Sequence, residues 1–160
     1  MYAAAQQSKA DVYPWLPWCH PGYTLVEAEE WSGSRRKLFE QGVEFEFVIV
    51  DDEDRFLGGC CLNRINIPDR MANLGYWVRS ASTGRGIATR AVQQLADFAF
   101  SQTDLERLEI ICAVSNEASQ RVAQKAGAIR EGVLRGRIFL HGRPHDAVMY
   151  SILRSEWLAG

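Results

Sequence analysis

Between residues 72 and 114 the chain reads as strand, glycine-punctuated turn, amphipathic helix and strand again, an order that leaves few folds open. Ala72 to Val78 is a short apolar run ending in "GYWV", and "SASTGRGIATRAV" follows at 80–92. From Ile87 the apolar positions 87, 88, 91, 92, 95, 96 and 99 keep helical register to about Ser101. "RLEIICAV" from 107 then reads as a buried strand. A crossover of this kind is right-handed, so strands 72–78 and 107–114 are predicted parallel in one sheet.

The flanking segments complete an α+β arrangement. Residues 25 to 41 carry charge-rich helical spacing. Val43 to Val50, "VEFEFVIV", alternates and then turns fully apolar, which predicts a strand buried more deeply at its far end. "DDEDR" makes a turn, Phe56 to Ile65 returns with room for a bulge at Gly58 and Gly59, and 72–78 follows after "NIPDR", giving an antiparallel meander. Ser115 or Asn116 is expected to cap a short helix that Gly127 ends, and residues 128–153 form two or three strands around "HGRP". No repeat, low-complexity tract or Ser/Gly linker divides the 160 residues, so a single domain over 1–160 is expected.

Composition narrows the partners. A formal charge of -2 offers no global basic field for nucleic acid, and no apolar run approaches the roughly 20 residues of a membrane span. Cysteines 19, 60, 61 and 112 form neither a C-x-x-C pair nor a metal-ligand spacing with histidine, and no cleavable signal sequence stands at the start. Reduced thiols, no metal and a cytoplasmic location are the expectation.

The glycines at 84 and 86 precede a helix whose free amides and positive dipole end suit a phosphate, although a tight turn needing left-handed residues explains them equally. The Walker pattern G-x-x-x-x-G-K-[ST] is absent, and the dinucleotide pattern fails at its third glycine, where Thr89 stands.

The segments "LGYWV", "GRGIATRAV", "NEASQRVAQKAGAIREGVLR" and "GRPHDAVMYSILRSEW" together resemble the GNAT N-acetyltransferases over about residues 12–158, in particular the branch acetylating ribosomal-protein amino termini. The family loop Q/R-x-x-G-x-G/A is matched at Gly86 and Ala88, with Thr83 in place of Gln or Arg. The resemblance implies a three-layer fold on a mixed, mostly antiparallel sheet that splays between the two parallel strands. It also implies acetyl-CoA as cosubstrate and an amine acceptor: a peptide or protein N-terminus, or a small amine. The family begins with a strand before its first helix, whereas "MYAAAQQSKA" already resembles that helix, so either the start is truncated or the sheet lacks its edge strand. Val43–Val50 would then be a free edge, and a homodimer is expected.

By the same resemblance, acetyl-CoA would lie along Trp77, Val78 and Arg79, with its diphosphate on Thr83, Gly84, Arg85, Gly86, Ile87, Ala88 and Thr89. Arg85 reads either as a contact cation or as a solvated surface residue. Asn116 would hydrogen-bond the pantetheine arm or simply cap its helix. Amine attack on a thioester needs a neutral nitrogen, a stabilised oxyanion and a proton for the leaving thiolate. A backbone N–H near Val78 is the oxyanion candidate. The tyrosine that protonates the thiolate in many relatives falls at position 123, which is alanine here, so Ser119 takes the catalytic role by resemblance, with a local cap as the alternative. Asn73 stands where a basic glutamate is common and cannot accept a proton at neutral pH. Water must intervene or another residue serve; His20, His141, His145 and Asp146 read as surface residues more often than catalytic ones and no base is named, while Trp15 and Trp18 of "PWLPW" are expected to frame an acceptor cleft with loops 12–24, 64–72 and 135–146. A non-catalytic acyl-CoA sensor of the same fold is the alternative function.

Overall fold

The computed structural model describes residues 1–159. Helix α1 (Tyr2–Val12) and a 3-10 turn (Pro17–Cys19) lead into α2 (Leu25–Glu40). Strands β1 (Phe45–Val50), β2 (Phe56–Asn66) and β3 (Met71–Val78) form the expected meander. Helix α3 (Ile87–Gln102) crosses to β4 (Arg107–Ala113), followed by α4 (Glu117–Lys125), the long hairpin β5 (Ile129–Leu140) and β6 (Arg143–Leu153), and α5 (Arg154–Trp157).

The six strands are ordered β1-β2-β3-β4-β6-β5, and β3/β4 is the parallel pair. α3 carries its apolar stripe onto the sheet: Val92, Leu95, Ala96 and Ala99 pack with Leu62, Leu74, Leu108 and Tyr150 in the main core. Each fully buried leucine there contributes about 1.5–3 kcal/mol. A smaller cluster of Ala5, Val12, Cys19, Tyr23 and Ala28 joins α1, the 3-10 turn and α2, and packs against Trp77 on the opposite face. The sheet therefore has helices on both sides, the three layers expected. Among the described residues, no helix is long and apolar enough to cross a membrane.

Two local features have clear chemical causes. α2 starts with a capping box, in which the Thr24 side chain accepts from Glu27 N–H and the Glu27 carboxylate accepts from Thr24 N–H at 2.8 Å. Gly58 is required by close approach, since a Cβ there would lie 2.1 Å from the Trp77 carbonyl oxygen. The β1/β2 register shifts beside it, between Ile49 and Val50.

Three expectations are corrected. The far end of β1 is not its most buried part: Val48 is 67% and Val50 43% exposed. β1 is an edge strand, and Val48 and Val50 point to the face opposite Phe47 and Ile49, where little covers them. β1 also begins at Phe45, because the Val43 and Glu44 amides donate to Leu38 O at the end of α2. Residues 135–146 are mostly the two arms of the β5/β6 hairpin rather than a loop, turning at His141 and Gly142, both with positive φ.

Candidate functional site

β3 and β4 pair over only three residues, Met71↔Arg107, Ala72↔Leu108 and Asn73↔Glu109. Beyond Asn73 the strands diverge, although β3 continues to Val78 and β4 to Ala113. Arg79 N–H donates to Leu57 O at 2.8 Å on the β2 side. Strand alternation then points the N–H and C=O groups of Tyr76 and Val78 the other way, into the opening. An extended polar arm laid there finds unpaired backbone donors and acceptors, including the Val78 N–H expected to meet an oxyanion.

The opening leads to the start of α3. Gly86 is the N-cap, with φ +73°, no side-chain capping bond and no acidic residue in the first turn. The Ile87, Ala88 and Thr89 amides and the positive helix end are therefore left for an anion. Thr83, Gly84, Arg85 and Gly86 are exposed, and Gly84 also has positive φ. Arg90, which the sequence reading passed over, places Nη1 3.4 Å from where a Gly86 Cβ would lie and donates to Arg85 O at 3.3 Å. It sits one turn beyond Gly86, a spacing that could have been read.

α1 fixes this loop in place. Ser80 N–H donates to Ser8 Oγ at 3.0 Å, Ser80 Oγ donates to Asp11 Oδ2, and Arg79 Nη2 donates to Gln7 Oε1 at 2.6 Å. Arg79 Nη1 donates to Phe56 O at 3.5 Å on β2, and its Nε is buried without a partner. The Trp77 indole faces away from that opening, packed with Trp18 and Phe56 at ring separations of 5.5 and 5.6 Å. Its main chain, not its ring, borders the candidate cofactor path. A diphosphate-bearing arm fits these groups.

On the β4 side, Asn116 caps α4, its Oδ1 accepting from Ser119 N–H at 3.1 Å, which leaves its side-chain N–H groups free to donate. Ser119 has an unanticipated neighbour: the Tyr76 hydroxyl lies 2.8 Å from Ser119 Oγ and 3.1 Å from Ser119 O. Burial pushes the Tyr76 phenol well above its ordinary range and keeps it protonated. When Tyr76 donates to Oγ, the serine proton is released to point elsewhere. Tyr76 thus reaches Ser119 from β3. Only the fold reveals it, since the two residues are 43 positions apart.

The sequence assigns no base, and Asn73, His141, His20 and Asp146 are otherwise engaged. Asn73 Nδ2 donates to Asn63 Oδ1 at 2.9 Å. His141 Nε2 donates to Tyr13 O at 3.1 Å and its ring packs on Tyr13, tying the hairpin to the 12–24 segment. His20 pairs with Glu27 at 3.0 Å, and Asp146 accepts from Gly136 N–H at 2.8 Å. Trp18 lies in the aromatic cluster with Trp77 and Tyr23. Beside the fork, Arg107 binds Glu109 at 2.9 Å and both oxygens of Glu131 at 2.7 and 2.6 Å.

The sequence matches the acetyltransferase (GNAT) domain family over residues 1–129. It is 37% identical over 100 residues to the putative ribosomal N-acetyltransferase YdaF of Bacillus subtilis, covering 62% of this chain and 55% of that protein. It is 33% identical over 114 residues to the ribosomal-protein-serine acetyltransferase of Escherichia coli, covering 71% and 63%. The chain thus spans less than two thirds of the length of both relatives. Among solved structures, the ribosomal L7/L12 alpha-N-protein acetyltransferase RimL in complex with coenzyme A superposes with a TM-score of 0.87 at 25% identity, over 95% of this chain and 85% of that one.

Proposed function

We propose, for a chain that belongs to the acetyltransferase (GNAT) domain family, that it moves an acetyl group from acetyl-CoA to a primary amine by direct attack within a ternary complex. The observation that carries this reading is the continuity of the β3/β4 opening with the uncapped start of α3. Acetyl-CoA supplies the activated acyl thioester, and the chain supplies everything else. Tyr76 and Val78 main-chain groups hold an extended arm, the Gly86–Thr89 amides with Arg85 and Arg90 hold phosphates, and Asn116 donates to the arm. Val78 N–H stabilises negative charge on the carbonyl oxygen. Ser119, backed by Tyr76, gives a proton to the departing sulfur.

The acceptor we infer is a protein or peptide N-terminus, as the names of the relatives suggest, and the four free thiols suit a reducing cytoplasm. The free β1 edge, with Val48 exposed, supports self-association through β1; sedimentation at tens of micromolar should reveal a dimer, and a clean monomer removes it.

Thermal shift is the first test. Acetyl-CoA at about 100 times its Kd should stabilise the fold by roughly 2.7 kcal/mol, whereas ATP and NAD should not; equal shifts with NAD would sink the reading. Thiol release from acetyl-CoA against amino-terminal dipeptides, polyamines and aminoglycosides then identifies the acceptor class. Stabilisation without release for any amine favours an acyl-CoA sensor.

A further inference from the structure

Four carboxylates reach the sheet face that carries Asn73 and Trp77, and three of them are held by arginine. Glu44 accepts from Arg35 at 2.6 Å, while Glu109 and Glu131 share Arg107. Glu46 is the exception, with no ion pair and its carboxyl largely withdrawn from solvent. It stands in a register row, Glu46↔Cys61↔Gly75. Paired residues share a face, so all three lie on the same side as Asn73 and Trp77.

That row leads to the fork. Asn73 is the last β3 residue paired with β4, so Gly75 is the first residue of this face beyond the parting. Gly75 carries no side chain, and the shallow trough this leaves is walled on the Glu46 side by Cys61 Sγ, which would sit 3.1 Å from a Cβ at Gly75. Two strand spacings, about 10 Å, separate the Glu46 and Gly75 backbones, with the Cys61 side chain between them on the same face. A hydrogen-bond chain follows the same direction. Asn73 donates to Asn63, and Asn63 Nδ2 donates to Cys61 Sγ at 3.3 Å, which stands next to Glu46 in the register row. On its other side Glu46 borders a groove of about 350 Å³ between α2 and β1, lined by Arg35, Arg36, Phe39 and Glu40.

Resting on the acetyl-transfer reading, we propose that Glu46 is the proton acceptor for the amine, working through water in the trough and releasing the proton to solvent through the α2/β1 groove. The acceptor ammonium loses one proton to the Glu46 carboxylate and becomes a neutral amine. Its nitrogen forms the C–N bond at the thioester carbonyl, the C–S bond breaks, and the sulfur takes its proton from Ser119. The nitrogen's second proton leaves as the amide forms and restores Ser119 by way of solvent, so that Glu46 releases one net proton per turnover. The amides of Asn63 and Asn73 do not carry the proton; they orient the Cys61 thiol and the water.

The environment of Glu46 suits this work. Burial pushes its carboxyl up to about 7, opposed by the Arg35 charge and the Cys61 hydrogen bond and assisted by Glu44. Arg36 and Glu40 from α2, and the Cys60 and Cys61 thiols from β2, complete the titratable surroundings. The thiols stay protonated, because burial raises both. A carboxylate that titrates near the working pH is an effective base.

Glu46→Gln tests the assignment with two readouts. Infrared difference spectra of the protein without acetyl-CoA should contain a protonated-carboxyl band with a midpoint near 7 that the variant lacks. The kcat/KM for the best amine of the panel should fall by about 10²-fold or more at pH 7, the deficit shrinking as pH rises toward the amine's own pKa, while the acetyl-CoA thermal shift stays. A variant that keeps the wild-type rate and pH profile overturns the role alone. Wild-type protein that acetylates no amine overturns the transfer reading, and this role with it. If the variant does not fold, the wild-type profiles decide: the proposal fails where neither the infrared titration nor log kcat/KM inflects between pH 6 and 8.

Discussion

The opening between β3 and β4 is built from main chain, whereas the sheet face beside it is built from side chains. In the opening, the groups proposed to bind acetyl-CoA are the amides of Tyr76, Val78 and the first turn of α3, next to Gly84 and Gly86, which carry no side chain. On the face, Glu46, Asn63, Asn73 and the β4 pair Glu109 and Arg107 come from four strands and meet only through register. A site made of backbone tolerates change in most of its side chains but not an added one at its glycines. A site made of side chains depends on each residue and on the pairing that aligns them.

The largest effect is therefore expected at Gly86. Gly86→Asp puts a Cβ in a left-handed backbone, beside Arg90 Nη1, and places a negative charge where phosphate would rest. Acetyl-CoA binding should be lost by calorimetry while the circular-dichroism spectrum stays folded. Unchanged affinity would reduce the loop to a turn and break the contrast at its first term.

The two kinds of site also differ in how far the sequence discloses them. Glycines next to a 3.6-residue apolar period are local signals, so the start of α3, its crossover and the parallel pair could all be read from residues 72–114. The Thr24 to Glu27 spacing at the start of α2 was equally available. The partnership of Tyr76 with Ser119, and the row from Glu46 to Gly75, are not local. Each depends on which strand lies beside which and in what register, and a one-residue slip would send Glu46 to the opposite face. The misjudged burial of Val48 and Val50 has the same origin, because an apolar run does not say whether its strand will be central or at the edge.

Ser119 stands where the two regions join, on the helix that borders the opening but dependent on a side-chain partner. Ser119→Ala should lower kcat by roughly 10²-fold and move the acetyl-CoA KM much less, since the proton is needed only as charge develops on sulfur. Tyr76→Phe removes the hydrogen bond behind the serine and should cost up to about tenfold in kcat, in line with one hydrogen bond of 0.5–1.5 kcal/mol. A folded, fully active Ser119→Ala protein would return the residue to capping and leave the thiolate to water. A Tyr76→Phe loss that persists in the Ser119→Ala background would show that Tyr76 acts independently of the serine.

The smallest effect should come from the paired carboxylates, and it sharpens the distinction drawn on the face between Glu46 and its neighbours. Glu131 accepts two hydrogen bonds from Arg107 and one from Ser151 Oγ at 2.7 Å, and these hold its carboxyl down to about 2. A depressed carboxyl stabilises the fold above its unfolded pKa and loses that contribution as pH falls, here from about 4.5 toward 2. Glu46 has the opposite sign: its raised pKa favours the fold at low pH, an advantage lost as pH rises through about 7. Glu131→Gln should thus destabilise at neutral pH and become indistinguishable from the parent near pH 2, whereas Glu46→Gln should stabilise at pH 8 relative to pH 5. Because the Glu131 side chain is 39% exposed, solvent screening limits its contribution to about 0.2–1 kcal/mol. Acetyl transfer by Glu131→Gln should match the parent, since Arg107 retains Glu109 and the register at the fork does not depend on the lost charge. Melting temperatures of both variants across pH 2 to 8, read beside their turnover, separate the two roles: a carboxylate bound by arginine should move stability only, and the unpaired one should move both.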